Sequence, residues 1–289
     1  MTSERIGILH PGEMGAFLAA SALKSGHHVY WASEGRSANT QHRAAKLGLV
    51  DAETVAHLCA ECSFLVSICP PHAAEAVANQ VAAAGFTGLY LDANAISPQR
   101  AVRMSQAMMP AGITFVDGGI IGGVTQEPGR TTLYLSGPRV DEVAACFSAG
   151  ALMTRVLGTT VGQASAVKMC FSAYNKGSVA LLAAILGTAE SLGVRHELYR
   201  LWRRDEADFP DQVAARVCRS APRAWRYSGE MEEIATTFRE AGIPGDFHTA
   251  AAVIYRRLAP FKGSTEVTLE QVLAALLAPD AETDTGSTI

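Results

Sequence analysis

The stretch T-V-G-Q-A-S-A-V-K-M-C-F-S-A-Y-N-K-G, residues 160 to 177, sets one basic side chain, Lys168, among apolar and small residues. At helical spacing Lys168, Ser172 and Asn175 fall at i, i+4 and i+7, so one stripe of a helix can present all three to a small polar substrate. An amine in apolar surroundings can take and give a proton, and a hydroxyl or amide can bond the substrate oxygen. The alternative is a surface lysine that buries only its aliphatic stem. We predict that Lys168 is a general acid/base and that Ser172 and Asn175 assist it.

Length and composition indicate which classes of protein fit the chain. At 289 residues, with 48% hydrophobic and 18% charged residues, it suits two well-buried domains. The formal net charge of -4 argues against a nucleic-acid partner. Cys59 and Cys62 form a C-x-x-C without a second pair, so we expect no metal site and reduced thiols. The first residues lack a signal peptide pattern and the most apolar run is too short to span a bilayer, which predicts a cytoplasmic protein without membrane contact.

The first thirty residues have the pattern of a nucleotide-binding unit. A short apolar strand (5–10) leads into P-G-E-M-G (11–15), a helix and a second strand. In such a unit Gly12 lets the backbone approach a pyrophosphate and Gly15 lets the helix pack close to the strand, with the phosphates at the helix N-terminus. His10 stands where the G-x-G-x-x-G fingerprint has its first glycine. The predicted cofactor contacts of this turn are Gly12, Glu13 and Met14.

The end of the second strand bears on the choice of dinucleotide. It reads W-A-S-E-G-R-S and supplies Ser33, Arg36 and Ser37. A guanidinium and two hydroxyls can bind the 2′-phosphate of NADP. Glu34 keeps NAD open, because a carboxylate that points inward would accept from a ribose hydroxyl instead. We predict NADP, with NAD as the less favoured alternative.

The remaining strands alternate with helices, which predicts an α/β fold of the Rossmann type, a doubly wound and mostly parallel sheet. In this architecture ligands lie beyond the C-terminal ends of the strands. The turn residues that fall there are Pro70, Asn94, Ser97, Gly122 and Gly123.

From residue 163 the pattern is helical only, beginning with one helix from Gln163 toward Leu192. We therefore predict a nucleotide-binding domain (1–161), an all-α substrate and dimerisation domain (162–280) and a disordered polar tail (281–289). In the helical part Arg226 and Glu230 lie at i, i+4 and are candidate substrate contacts. A surface ion pair is the alternative for these two residues, and it is the reading that their spacing slightly favours.

Five ordered motifs resemble those of the β-hydroxyacid dehydrogenase family, which includes 3-hydroxyisobutyrate dehydrogenase and, more distantly, 6-phosphogluconate dehydrogenase. They are P-G-E-M-G (11–15), the prolines at 70–71, D-A-N-A-I-S-P (92–98), D-G-G-I-I-G-G (117–123) and G-Q-A-S-A-V-K-M (162–169). The segment A-W-R-Y-S-G-E-M-E-E-I-A (224–235) resembles a less characterised branch.

The resemblance implies roles for several residues. Lys168 would be the proton-relay lysine, Asn94 would lie beside the nicotinamide, and Gly122 and Gly123 would offer backbone amides to a substrate carboxylate. It also implies a homodimer. The chain departs from the family at Ser172, where Asn is usual, and at Ile121, where Ser is usual.

These features predict an NADP-dependent oxidoreductase that transfers a hydride to or from a small hydroxy acid or a related aldehyde or ketone. The alternatives are an imine reductase of the same architecture and an NADP-binding sensor without turnover. An imine reductase resembles the chain but has a different proton donor at the lysine position.

Overall fold

The computed structural model describes residues 3–279, and the predicted disordered tail lies outside this range. Eight strands form in this range, β1 to β8: Arg5–Ile8, His28–Trp31, Val50–Asp51, Phe64–Ser67, Leu89–Asp92, Thr114–Ile121, Thr131–Ser136 and Leu152–Gly158. The α-helices in the same range, α1 to α12, are Glu13–Lys24, Ala38–Leu47, Val55–Glu61, Ala74–Ala83, Pro98–Met108, Val140–Ala145, Gln163–Ser191, Arg195–Asp205, Phe209–Ser220, Ala224–Glu240, Asp246–Arg257 and Leu269–Leu277.

All eight strands belong to one sheet in the order β3-β2-β1-β4-β5-β6-β7-β8. Neighbouring strands are parallel except β6 and β7, which are antiparallel. The chain winds outward from β1 in one direction and from β4 in the other, so the order reverses between these two strands. This topology confirms the predicted Rossmann-type sheet, and the two outermost strands, β3 and β8, were not part of the prediction.

The central strands form because their sequences are apolar without interruption. All four residues of β4 (F-L-V-S) and all four of β5 (L-Y-L-D) are buried. Such runs are typical of parallel strands that are covered by helices on both faces. Two separate cores result, one on each face, with Ile8 and Phe147 in the first and Tyr90 and Phe115 in the second.

A buried carboxylate holds the start of α7 against the sheet. Asp117 on β6 is 1% exposed. Its Oδ2 accepts hydrogen bonds from Ser136 Oγ, Gly162 N and Ser165 N, each 3.0 Å long, and its Oδ1 accepts from Ser165 Oγ at 2.5 Å. Burial raises the pKa of Asp117, and these donors oppose that shift. The carboxylate therefore serves as the N-terminal cap of α7 that the helix does not carry itself.

The two glycines that follow Asp117 allow this close packing. A Cβ on Gly119 would lie 2.5 Å from Ala164 O and 3.0 Å from Lys168 Cβ. A Cβ on Gly118 would lie 2.8 Å from Leu91 Cδ1 on the neighbouring strand. Gly119 is thus explained by the close contact between helix and sheet, because a Cβ there would meet the backbone of α7, whereas a side chain at Gly118 would require Leu91 to shift.

The chain divides into two compact units. The first contains the chain up to Phe171 together with Thr236–Gly242, and the second contains Ser172–Ala235 and the residues from Ile243 onward. The predicted division at residue 161 lies ten residues earlier, because the first two turns of α7 are bonded to the sheet through Asp117 and Lys168. The second unit is helical, as predicted.

Helix α7, predicted from Gln163 toward Leu192, runs from Gln163 to Ser191. Among residues 3–279 it is the one helix that is long and apolar enough to cross a membrane, and 44% of its most apolar window is buried within the fold. Since its first turns are bonded to the sheet, these properties also suit a core helix. The cytoplasmic location stays a prediction.

Candidate active site

A cavity of about 320 Å³ opens where the strand order reverses, at the C-terminal ends of β1, β2 and β4. Its walls come from the loop after β1 (His10 and Gly12), the loop after β2 with the first turns of α2 (Gly35, Arg36, Ser37 and Thr40), and the loop after β4 (Ile68, Cys69 and Pro70). Ligands of open α/β sheets bind at this place. The structure thus brings Gly12, Arg36, Ser37 and Pro70 together, as the sequence predicted.

The loop between β1 and α1 has the geometry of a phosphate site. Gly12 is the N-cap of α1, has no capping side chain, and has open space where a Cβ would be. A Cβ on Gly15 would lie 2.2 Å from His10 O, so only glycine lets α1 start this close to β1. The N–H groups and positive dipole end of α1 suit the pyrophosphate of a dinucleotide. Glu13 is exposed and Met14 packs on the core, so each offers its backbone here.

Arg36 and Ser37 line the side of this cavity that the loop after β2 forms. Arg36 is half-buried, and its Nε donates to Ala32 O at 3.4 Å. Ser37 caps α2 by accepting from Thr40 N, and its hydroxyl lies 3.1 Å from Thr40 Oγ1. Ser33 is half-buried outside the cavity lining, and Glu34 is exposed with its backbone bonded to Glu53 O.

Two residues of this site were missed by sequence reasoning. Thr40 lines the cavity, and Arg43, one turn further along α2, donates through Nη2 to Thr40 Oγ1 at 3.3 Å and through Nε to Pro11 O at 3.4 Å. Arg43 therefore brings a second guanidinium to the loop after β1. Its spacing from Ser37 and Thr40 on one face of α2 was the signal that could have identified it.

Asn94 is a buried hydrogen-bond hub at the ends of β4 and β5. Its Nδ2 donates to Ser67 Oγ (3.1 Å) and Asp92 Oδ2 (2.8 Å), its Oδ1 accepts from Cys69 N (2.5 Å), and its own N–H donates to Asp92 Oδ1 (3.1 Å). These bonds tie the loop that carries Cys69 and Pro70 to the end of β5. Asn94 is 3% exposed, so its side chain shapes the cavity wall through these partners.

The hydrogen bonds from Asn94 favour the ionised form of Asp92. Burial raises the pKa of Asp92 to about 7, and the two hydrogen bonds from Asn94 oppose this shift. Both carboxylate oxygens accept from Asn94, which is the pattern of the ionised form. The network therefore stabilises a buried negative charge one strand away from Asp117, its register partner.

Lys168 lies at the end of β6. Its Nζ donates to Ile120 O at 2.7 Å, and the lysine is half-buried. Ile120 is two residues before Gly122, whose φ of 122° and whose contacts with Arg130 O and Thr131 leave no room for a Cβ. Gly123 follows, and its carbonyl accepts from Thr131 Oγ1. The first unit thus brings the amine to the strand end that carries the predicted carboxylate-binding glycines.

The second unit holds the other predicted residues. Ser172 is 2% exposed, and the carbonyl of Asn175 accepts from Arg216 Nη2 at 3.2 Å. Glu230 pairs with Lys176, and the two side chains are only 12% and 15% exposed. This ion pair is therefore largely buried, whereas the sequence slightly favoured a surface pair of Glu230 with Arg226. Arg226 lies 5.6 Å from the Tyr227 ring.

Comparison with known proteins bears on the family. The model of the NAD binding domain of 6-phosphogluconate dehydrogenase matches residues 5–179, and a domain of unknown function matches residues 189–258. A conserved protein of unknown function described as structurally similar to 3-hydroxyacid dehydrogenases is 28% identical (TM-score 0.65, covering 89% of this chain and 97% of that one).

The chain belongs to the β-hydroxyacid dehydrogenase family. The first match covers more than half of the chain, including the cavity and Lys168. It is accordingly an NAD(P)-binding oxidoreductase of the kind that acts on CH–OH groups.

Two further solved structures share the fold of this β-hydroxyacid dehydrogenase family member. One is 3-hydroxyisobutyrate dehydrogenase from Mycobacterium tuberculosis with L-serine (17% identity, TM-score 0.68, covering 96% of this chain and 100% of that one). The other is a reductive aminase from Aspergillus terreus with NADPH, cyclohexanone and allyl amine (18% identity, TM-score 0.54, 94% and 99% covered). The candidate substrate contacts Arg226 and Glu230 fall in the segment that the domain of unknown function matches.

Replacing Asn94 by Ala should destabilise the fold in a pH-dependent way. The change leaves Asp92 and the Cys69 N–H without these partners, at a cost of about 3 kcal/mol. The lost hydrogen bonds stabilise the ionised form of Asp92, whose pKa in the folded state is about 7. The loss of folding free energy should therefore be larger at pH 8, where the ionised form predominates, than at pH 5. Urea unfolding at both pH values measures it, with Asn79→Ala on the exposed face of α4 as the control. An equal loss at both pH values would contradict the assigned charge of Asp92.

Proposed function

We propose that this protein is an NADP-dependent dehydrogenase or reductase for a small hydroxy acid or a related aldehyde or ketone. The observation that carries the proposal is the position of Lys168, whose amine lies against Ile120 O near the end of β6, two residues before Gly122 in the chain. The family supports hydride chemistry at a CH–OH carbon. A proton must then be managed at the oxygen on that carbon, and Lys168 is suited to this task.

The cavity residues fit NADP. Gly12 and the N-terminus of α1 would hold the pyrophosphate, and Arg36, Ser37 and Thr40 would hold the 2′-phosphate, with the second guanidinium of Arg43 close by. When bound, NADP supplies the hydride acceptor, and NADPH supplies the donor. Glu34 is absent from the cavity lining, which weakens the case for NAD, because an NAD site places a carboxylate where it accepts from the ribose.

Lys168 would exchange the proton at Nζ. In oxidation the neutral amine accepts the proton of the substrate hydroxyl, and in reduction the ammonium donates a proton to the carbonyl oxygen. Its hydrogen bond to Ile120 O restricts the side chain, which favours a constant position of Nζ. The backbone amides of Gly122 and Gly123 would bind the substrate carboxylate. The substrate roles of Ser172, Asn175, Arg226 and Glu230, which belong to the second unit, stay predictions.

One activity screen distinguishes the proposal from its two alternatives, an imine reductase and an NADP-binding sensor without turnover. NADP⁺ reduction is followed with a panel of hydroxy acids, and NADPH oxidation with aldehydes, ketones and cyclic imines. Turnover of hydroxy acids or carbonyl compounds supports the proposal. Turnover of imines alone indicates an imine reductase, and tight NADPH binding without any turnover indicates a sensor. The presence of Lys168 favours turnover of hydroxy acids or carbonyl compounds, because an imine reductase has a different proton donor at this position.

Lys168→Ala should lower kcat by about 10² to 10⁴, because a positioned general acid/base contributes that factor. The dissociation constant for NADPH should change less than twofold, since Lys168 is absent from the cavity lining. Steady-state kinetics on the best substrate and fluorescence titration with NADPH measure the two effects. Lys46→Ala, at the exposed end of α2, is the matched control. A kcat within threefold of wild type would refute the role of Lys168.

Arg36→Ala should weaken NADPH binding by about 10- to 100-fold, the usual contribution of a charge-assisted hydrogen bond. NADH binding should stay within twofold, because NADH has no 2′-phosphate. Fluorescence titration with both nucleotides gives the ratio, and Arg219→Ala, exposed on α9, serves as the control. Equal losses for both nucleotides would show that Arg36 supports the loop and not the phosphate.

We also propose that the protein is a homodimer, as the family resemblance implies. Two large side chains of α7 support this, since Tyr174 is 71% exposed and Leu181 is 46% exposed. Sedimentation equilibrium should give twice the chain mass of 30.5 kDa, and the double change Tyr174→Glu, Leu181→Glu should shift it toward the monomer. A monomer in the unmodified protein at micromolar concentration would overturn the proposal.

A further inference from the structure

His10 is the residue by which this chain departs most from the glycine-rich fingerprint. It occupies the position of the first glycine, directly after β1, yet its backbone φ is not positive, so the turn itself does not need glycine there. Its carbonyl accepts from Gly12 N at 2.8 Å, which keeps the loop tight. The side chain is therefore an addition to a normal phosphate loop.

His10 lines the same cavity as Arg36, Ser37 and Thr40. Within the described part of the chain its Nδ1 is buried and has no hydrogen-bond partner. Burial, together with the nearby charge of Arg36, lowers the pKa of His10 to about 4, so the ring is neutral at pH 7. A neutral ring has one N–H, and the better place for that proton is Nε2, where a ligand in the cavity can accept it, because a buried Nδ1–H would have no acceptor.

We propose that His10 contributes to NADP specificity, its Nε2–H donating a hydrogen bond to the phosphate on the adenosine ribose next to Arg36 and Thr40. The position immediately after β1 supports this, because the same cavity is bounded by the loop after β2, where Arg36 and Ser37 stand. The imidazole, from the loop after β1, would thus add a donor to those of Arg36 in the loop after β2 and Thr40 in α2. The inference rests on the proposed use of NADP.

His10→Ala and His10→Gln test the proposal as a pair. Alanine removes the ring without adding the backbone freedom of glycine, and glutamine keeps a neutral N–H donor of similar reach. We expect His10→Ala to weaken NADPH binding about tenfold or more and NADH binding by less than twofold, and His10→Gln to recover most of the NADPH affinity. Fluorescence titration at pH 7.5 gives the four dissociation constants, and thermal unfolding confirms that both variants are folded.

The possible outcomes distinguish a failure of the proposed role of His10 from a failure of the NADP proposal. If the unmodified protein prefers NADPH, and Arg36→Ala abolishes the preference while both His10 variants keep it, the role of His10 is refuted and the NADP proposal stands. If His10→Ala weakens NADPH and NADH equally, His10 only supports the loop, and the inference is wrong. If the unmodified protein prefers NADH, the NADP proposal fails and the role of His10 fails with it.

Discussion

The buried carboxylate of Asp117 is the interaction on which the position of Lys168 depends. It accepts hydrogen bonds from the N-terminal turn of α7 and from the neighbouring strand β7, so helix and sheet share one charged group. Because a carboxylate in this setting loses its hydration, removal of its donors would cost several kcal/mol. The start of α7 is therefore held firmly, and Lys168, less than two turns later, is carried to the end of β6.

A second buried carboxylate, Asp92, helps to fix the loop after β4, which lines the cavity. Asp92 and Asn94 bond each other, and Asn94 bonds the loop that follows β4. That loop forms one wall of the cavity at the reversal of strand order. Asp92 and Asp117 are register partners on adjacent strands, so the cavity wall and Lys168 are supported by neighbouring positions of the same sheet. Glycines at 118 and 119 make both arrangements possible, since side chains there would collide with the adjacent strand and with α7.

Several donor side chains gather at the cavity. His10 stands where the glycine-rich fingerprint has its first glycine, and Arg43 brings a guanidinium beside Thr40, which lines the cavity with Arg36 and Ser37. In the helical unit the pair of Lys176 and Glu230 is mostly buried, which is costly unless its geometry is well satisfied. This pair lies on elements that also carry Asn175 and Arg226, and its burial distinguishes it from the exposed ion pairs of the same unit, such as Arg256 with Glu232.

The sequence by itself determined the fold class, the phosphate loop at Gly12 and Gly15, and the long helix that carries Lys168. Each of these rests on local pattern: an apolar run, a glycine at a turn, a helical spacing. The tertiary structure decided three further contacts: that of Asn94 with Cys69, that of Glu230 with Lys176, and that of Arg43 with Pro11 in the loop after β1. They join residues 25, 54 and 32 positions apart, and no local pattern encodes which side chains will meet across such separations. The division between units also moved, because hydrogen bonds to Asp117 and Ile120 make the first turns of α7 part of the sheet's unit.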